Sequence, residues 1–139
     1  MAAVTVSTGL DHYQTTVHTA NHQLIADEPQ PMGTDLGPNP YEFLLVAVGS
    51  CVSMTLRMYA DRKGWDLQTV KVELDQERIH AKDCENCESE DGYIHQIHKR
   101  LTFTGDLTEE QRARLLEISE RCPVQKTLQN EIQIITTEA

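Results

Sequence analysis

The stretch from Gly37 to Gly64, "GPNPYEFLLVAVGSCVSMTLRMYADRKG", constrains the fold more than any other. Asn39 is a residue type that caps helices, Pro40 carries the φ a first helical residue needs, and Glu42 falls at the third position. Together they approach a capping box. Gly64 suits the left-handed residue that ends a helix. Between these signals, residues 43–56 carry no charge, a run of fourteen. That run is shorter than a bilayer requires, so the expectation is a buried core helix, covered nearly all round. Leu44, Val48, Cys51, Thr55 and Met58 share one stripe by their spacing. Gly49 and Ser53 lie a turn apart on a neighbouring stripe, small enough to let a second helix approach.

Around this helix the chain alternates. "AVTVST", "HYQTTVHTA" and "HQLIADE" carry β-branched residues and turn punctuation, and predict short antiparallel strands. Residues 29–40 form a Pro/Gly loop. "LQTVKVELDQERIH" (67–80) and "YIHQIHKRLTFTG" (93–105) predict two long strands joined by a polar loop. Thr108 with Gln111 opens an amphipathic helix to about Arg121, Pro123 starts a short one, and "IQIITTE" (132–138) predicts a closing strand. The order βββ-α-ββ-αα-β is an α+β pattern with helices segregated from an antiparallel sheet. At 139 residues the expectation is a single domain spanning 1–139.

Charge narrows the function. Twelve Lys and Arg against 22 Asp and Glu give a net charge of -10, which opposes binding to nucleic acid or to an anionic membrane. Residues 1–8 carry neither a basic start nor a long apolar run, so a soluble cytoplasmic protein is expected. In a reducing cytosol the four cysteines, Cys51, Cys84, Cys87 and Cys122, need not be structural disulfides.

Two of them invite chemistry. Cys51 sits mid-helix, where a small core side chain is the plain alternative to a nucleophile. Cys122, in "ERCPV", stands directly before the proline that starts a helix. As N-cap its sulfur would face free amides and the positive end of the helix dipole, which lowers a thiol pKa. Ser, Thr, Asp or Asn would cap better, so cysteine here points to redox work. "HAKDCENC" is only half of a zinc site, because the nearby His95 and His98 have two residues between them, the wrong spacing. Cys84 and Cys87 with His80, or with His95 or His98, remain a candidate metal set, against an exposed or locally disulfide-bonded pair.

The combination of "GPNPYEFLLVAVGSC" with "RCPV" some seventy residues later resembles the OsmC/Ohr family of osmotically induced and organic-hydroperoxide-resistance proteins, and the order of elements agrees over essentially the whole chain. The resemblance implies an intertwined homodimer, with antiparallel sheet wrapping long central helices, and a thiol-dependent peroxidase of stress response. It implies Cys51 as peroxidatic cysteine, Cys122 as resolving cysteine and Glu42 as an active-site glutamate. A peroxide would be the small-molecule substrate, an external dithiol the reductant, and no cofactor or metal would be needed. Family members hold the thiolate with an arginine from the N-terminal strands, whereas residues 1–56 here contain no arginine or lysine. Arg57, Arg62, Arg78 and Arg100 are the candidate replacements. Two rival readings stand beside this one: a non-enzymatic protein holding an apolar ligand in a buried groove, and a small metal-binding domain at Cys84 and Cys87. Glu42 and Cys51 lie nine residues apart, hence on opposite faces and roughly 13 Å apart along one helix. A catalytic Glu42 would therefore have to come from the partner chain.

Overall fold

The computed structural model describes residues 3–84, 87–88 and 92–139. The chain divides into two compact units, Met1–Val46 and Ala47–Ala139.

The first unit is a three-stranded antiparallel meander: β1 (Thr5–Thr8), β2 (Thr15–His18) and β3 (Gln23–Ala26), in the order β1-β2-β3. Thr8 pairs directly with Thr15, and their hydroxyls hydrogen-bond at 2.7 Å. Cross-strand Thr pairs of this kind stabilise short ladders. The loop that follows is built on one carboxylate. Asp27 is 2 % exposed. It accepts from the Glu28 amide (2.8 Å), the Thr34 amide (3.5 Å), the Thr34 hydroxyl (2.7 Å) and the Leu36 amide (3.2 Å). The Thr34 hydroxyl chiefly, with the three amides, outweighs burial and holds the Asp27 carboxyl below its ordinary value. Two glycines make the wrap feasible. A Cβ at Gly33 would lie 2.2 Å from the Glu28 carbonyl oxygen, and one at Gly37 would lie 1.9 Å from that of Ile25.

Helix α1 (Pro40–Lys63) starts as the cap signals require. Asn39 Oδ1 accepts from the Glu42 amide at 2.8 Å, and the Glu42 carboxylate accepts from the Asn39 amide at 3.0 Å. The box is complete in both directions. The helix ends at Gly64, whose φ is +68°.

The second unit packs α1 from Ala47 onward with a two-stranded hairpin and two further helices. Strands β4 (Thr69–His80) and β5 (Tyr93–Thr104) pair in unbroken register from Thr69↔Thr104 to His80↔Tyr93. One face of the hairpin, Val70, Val72 and Leu74 opposite Phe103, Leu101 and Lys99, turns toward the core. Helix α2 (Glu109–Ser119) opens with the expected box between Thr108 and Gln111, both bonds at 3.0 Å. Helix α3 (Pro123–Gln129) has Cys122 as N-cap. The core is Val48, Val52, Leu56 and Ala60 of α1, with Leu67, Phe103, Leu115, Ile118 and Cys122. Leu56 and Leu115 are fully buried.

Three expectations change. The buried residues of α1 (48, 49, 52, 56 and 60) follow one stripe, and its other side is open. Met54 is 66 % and Met58 61 % exposed. One hairpin and two short helices in a single chain can cover only one side of a 24-residue helix. The small residue Gly49 admits a strand rather than a helix, since a Cβ there would lie 2.7 Å from Leu74 Cδ1 of β4. Residues 132–138 form no strand. They carry the β-branched residues a strand favours, but no strand edge pairs with them, and Ile132, Ile134 and Ile135 are exposed.

The Asp27 loop yields a prediction. Gly33→Ala forces a backbone clash and lowers stability by about 1–3 kcal/mol, measured by chemical denaturation at neutral pH. Asp27→Asn also destabilises, but in a pH-dependent way. A carboxyl with a depressed folded pKa contributes stability that is full above its ordinary value of 3.8 and lost as pH falls through the folded value. The gap between wild type and Asp27→Asn is therefore widest near neutrality and closes in acid.

Candidate active site

The two free thiols of the chain come together. Cys51, half-buried on α1, and Cys122, fully buried at the head of α3, hydrogen-bond to each other. Cys51 lies on the edge of the buried α1 stripe, next to Val52 and one turn before Thr55, whose hydroxyl also reaches its sulfur. Cys122 is placed by the cap: its backbone is extended (φ −60°, ψ 124°), and its sulfur accepts from the Gln125 amide at 3.5 Å.

The environment separates the two sulfurs. For Cys51 burial is the largest influence and pushes the thiol up. Hydrogen bonds from the Cys122 thiol, the Val124 amide and the Thr55 hydroxyl together outweigh it, and Cys51 falls below its ordinary value. For Cys122 burial again leads and pushes up. Donating to Cys51 and lying near its charge add to that, and the Gln125 and Val124 amides do not compensate. Of the two, Cys51 is the sulfur more readily ionised, and Cys122 is the donor that favours it. This corrects the expectation that the N-cap position makes Cys122 the acidic thiol. A helix of seven residues supplies a weak field, and a sulfur removed from water loses more by desolvation than the cap returns.

The cations expected at the thiolate are elsewhere. Arg57 pairs with Asp61 at 3.0 Å. Arg100 pairs with Glu73. Arg78 lies 4.6 Å over the Tyr93 ring, and Arg62 is exposed at the last turn of α1. What lowers Cys51 is hydrogen bonding.

The cation that does enter this region is Lys99, with only 11 % of its side chain exposed. Its Nζ donates to Gln125 Oε1 at 2.6 Å and to the Ser119 carbonyl at 3.2 Å, with the Glu120 carboxylate at 3.6 Å. Lys99 thus ties the end of α2 to the first turn of α3, on either side of Cys122. Alternation along β5 was the available signal: residue 99 falls on the same face as Ile97, Leu101 and Phe103. Beside this joint lies a cleft of about 460 Å³. Apolar Val48, Ile97 and Leu128 line it together with Lys99, Gln125 and the two histidines His95 and His98. Val48, one turn before Cys51 on α1, and Gln125, whose amide bonds Cys122, are among its lining residues, whereas the two cysteines are not. Its mixed lining is not the apolar groove a purely hydrophobic ligand would select.

Glu42 is not brought to the pair by its own position; its carboxylate completes the α1 cap. Cys84 and Cys87 are joined in a disulfide, so their sulfurs are not thiolate ligands. Among the described residues no group of three or more His, Cys, Asp or Glu is placed to hold a metal ion.

Comparison with known proteins now bears on the geometry. A family model for OsmC-like proteins matches residues 33–137. The chain belongs to the OsmC family. Comparison with curated proteins yields no match. Among solved structures, the chain is similar to an OsmC-like protein from Mycoplasma pneumoniae, with a TM-score of 0.68 and 20 % identity over 93 % of this chain and 87 % of that one. It is also similar to an organic hydroperoxide resistance protein OsmC from Legionella pneumophila, with a TM-score of 0.65 and 17 % identity over 92 % and 88 %. The organic hydroperoxide resistance protein OhrB of Bacillus subtilis matches at a TM-score of 0.60 and 17 % identity over 91 % and 89 %. At these identities the structures establish a shared α+β OsmC fold. The family points to a role in redox and peroxide resistance.

The separation of the two thiols is directly measurable. Alkylation of Cys51 by iodoacetamide, followed against pH, should have its midpoint below the ordinary thiol value of 9.0. Cys122→Ala removes the donor and moves that midpoint up, and Thr55→Val moves it in the same direction by less. An unchanged profile in Cys122→Ala would show that the thiol–thiol bond does not set the reactivity of Cys51.

Proposed function

We propose that this protein is a thiol-dependent peroxidase acting through Cys51 and Cys122. The observation that carries the reading is the asymmetric thiol pair, one sulfur favoured as thiolate by the proton of the other. Cys51 thiolate attacks the distal oxygen of a peroxide and the O–O bond breaks. The alcohol leaves with a proton taken up at its oxygen, and Cys51 is left as a sulfenic acid. The same step consumes the charge that raised Cys122. The Gln125 and Val124 amides then act on Cys122 without opposition from its neighbour, and its thiolate becomes easier to form. That sulfur attacks the Cys51 sulfenic sulfur, water leaves, and a Cys51–Cys122 disulfide forms. An external dithiol returns both thiols and departs as a disulfide. The protein's own residues supply every group in these steps, without a cofactor. Lys99 holds Gln125 and the α2–α3 joint in place around the resolving sulfur.

The working form in this reading is a homodimer. Exposed Met54 and Met58 on the open side of α1, and exposed Ile132, Ile134 and Ile135 in the unpaired C-terminal segment, support it, because apolar surface of this kind gains by a partner. Glu42 would serve the Cys51 of the other chain while capping its own helix. The charge of -10 favours neither nucleic acid nor anionic membrane as partner.

Two experiments test the reading. One equivalent of cumene hydroperoxide should remove two titratable thiols from wild type. In Cys122→Ser it should remove one, leaving Cys51 as sulfenic acid that excess peroxide drives to sulfinic acid; Cys51→Ser should consume no peroxide. Loss of Cys122 instead of Cys51 on first oxidation would contradict the assignment. Mixing inactive Glu42→Ala protein with inactive Cys51→Ser protein should restore a fraction of wild-type turnover, because exchanged dimers hold one site with both native groups. No recovery, with exchange verified by mass, would confine Glu42 to the helix cap.

A further inference from the structure

The disulfide at the tip of the β4–β5 hairpin has no part in these steps. It joins Cys84 to Cys87 across a sequence separation of three, with Cα atoms 5.6 Å apart. Stabilisation by a disulfide grows with the length of chain it closes, and this one closes the shortest span a C-x-x-C can. The described residues flanking it are bonded to one another without it. The Ala81 amide donates to the Gly92 carbonyl at 2.9 Å, and the Cys84 amide donates to the Ala81 carbonyl at 3.2 Å. Ala81 is buried, and the His80 and Tyr93 rings meet edge-on at 5.3 Å across the last register pair. Residues 80–84 and 92–93 are therefore fastened to one another by backbone bonds and ring packing below the sulfurs. The sulfurs themselves are reachable: Cys84 is half-buried and Cys87 exposed. An exposed disulfide that closes a minimal ring and supports little of the fold matches the labile, exchange-active kind rather than the structural kind. Spacing points the same way, since C-x-x-C is the arrangement in which one thiol attacks and the other resolves without the backbone moving.

We propose that Cys84 and Cys87 form a second redox centre, a dithiol–disulfide couple that exchanges electrons with external dithiols and disulfides independently of Cys51 and Cys122. In the reducing direction a dithiol's thiolate attacks the exposed Cys87 sulfur. The Cys84–Cys87 bond breaks, Cys84 leaves as a thiolate and takes up a proton, and a mixed disulfide remains on Cys87. The reductant's second thiol attacks its own sulfur in that mixed disulfide. It departs as a cyclic disulfide and releases Cys87 as a thiol, for a transfer of two electrons and two protons. In the reverse direction the reduced pair attacks an external disulfide by the same steps and closes again.

The test uses the wild-type chain at neutral pH without denaturant. Oxidised protein is incubated with dithiothreitol, quenched with iodoacetamide and mapped peptide by peptide. Cys84 and Cys87 should gain label within minutes while the thermal midpoint and circular dichroism of the protein stay as they were. After removal of dithiothreitol, the reduced protein should convert oxidised glutathione to its thiol and re-form the Cys84–Cys87 disulfide. Cys84→Ser/Cys87→Ser should lose that share of the exchange. The same double variant should still lose two thiols to one equivalent of cumene hydroperoxide, so a failure of the peroxidase reading is seen separately. The proposal is overturned if the pair stays unlabelled until the protein is unfolded, or if its reduction unfolds the protein. It is also overturned if the purified protein carries the two cysteines as free thiols around a metal ion.

Discussion

A hydrogen bond between two sulfurs organises the candidate site of this molecule. Cys51 is carried by the longest helix and Cys122 by the start of one of the shortest, and the core that buries them brings together elements from opposite halves of the second unit. Val48, Val52 and Leu56 seat α1 against the hairpin, while Leu115 and Ile118 seat α2, whose end delivers the chain to Cys122. Truncating Leu56 or Leu115 would be expected to remove about 2–5 kcal/mol, enough to loosen the joint as well as the fold. The placement of the two thiols thus depends on apolar packing. Lys99 adds the polar counterpart, bonding the Ser119 carbonyl and the Gln125 side chain from a position almost without solvent. A buried ammonium is costly unless its donors are occupied, and here both oxygens and the nearby Glu120 carboxylate occupy them.

The division of roles between the thiols follows from burial rather than from the helix end. Desolvation raises both sulfurs. Hydrogen bonds reach both, but the thiol–thiol bond favours ionisation of Cys51 and opposes that of Cys122. Cys51 has donors from Cys122, Val124 and Thr55, so it is the sulfur relieved. Oxidising Cys51 removes the reason for Cys122 to keep its proton. In this account the order of the two half-reactions is set by electrostatics within the pair and needs no conformational change.

Local signals made much of this architecture legible in the sequence. Asn39 with Glu42, Thr108 with Gln111, Gly64, and Cys122 before Pro123 each mark a helix boundary through groups within a few residues of one another, and the structure has them as read. The long hairpin was legible from its β-branched and alternating residues. What failed needed partners distant in the chain. Residues 132–138 carry the β-branched residues a strand favours, but a strand needs an edge to pair with. The apolar run of α1 looked buried on all sides because composition cannot say how many elements one chain has available to cover it. Lys99 was missed as a charge in a strand of mixed polarity, although alternation placed it on the inward face. The Asp27 loop read only as prolines and glycines, since its organising hydrogen bonds span up to nine residues.

The central claim is that Cys51 and Cys122 act as one redox pair within a chain. It is tested most directly by mapping the disulfides after a single equivalent of organic hydroperoxide. The protein is quenched with an alkylating agent, digested without reduction, and resolved by mass with one chain isotopically labelled in a mixed sample. The account predicts a Cys51–Cys122 linkage joining peptides of like label, beside an unaltered Cys84–Cys87 linkage. A linkage from Cys51 to Cys84 or Cys87, or a Cys51 that remains a free thiol while peroxide is consumed, would contradict it.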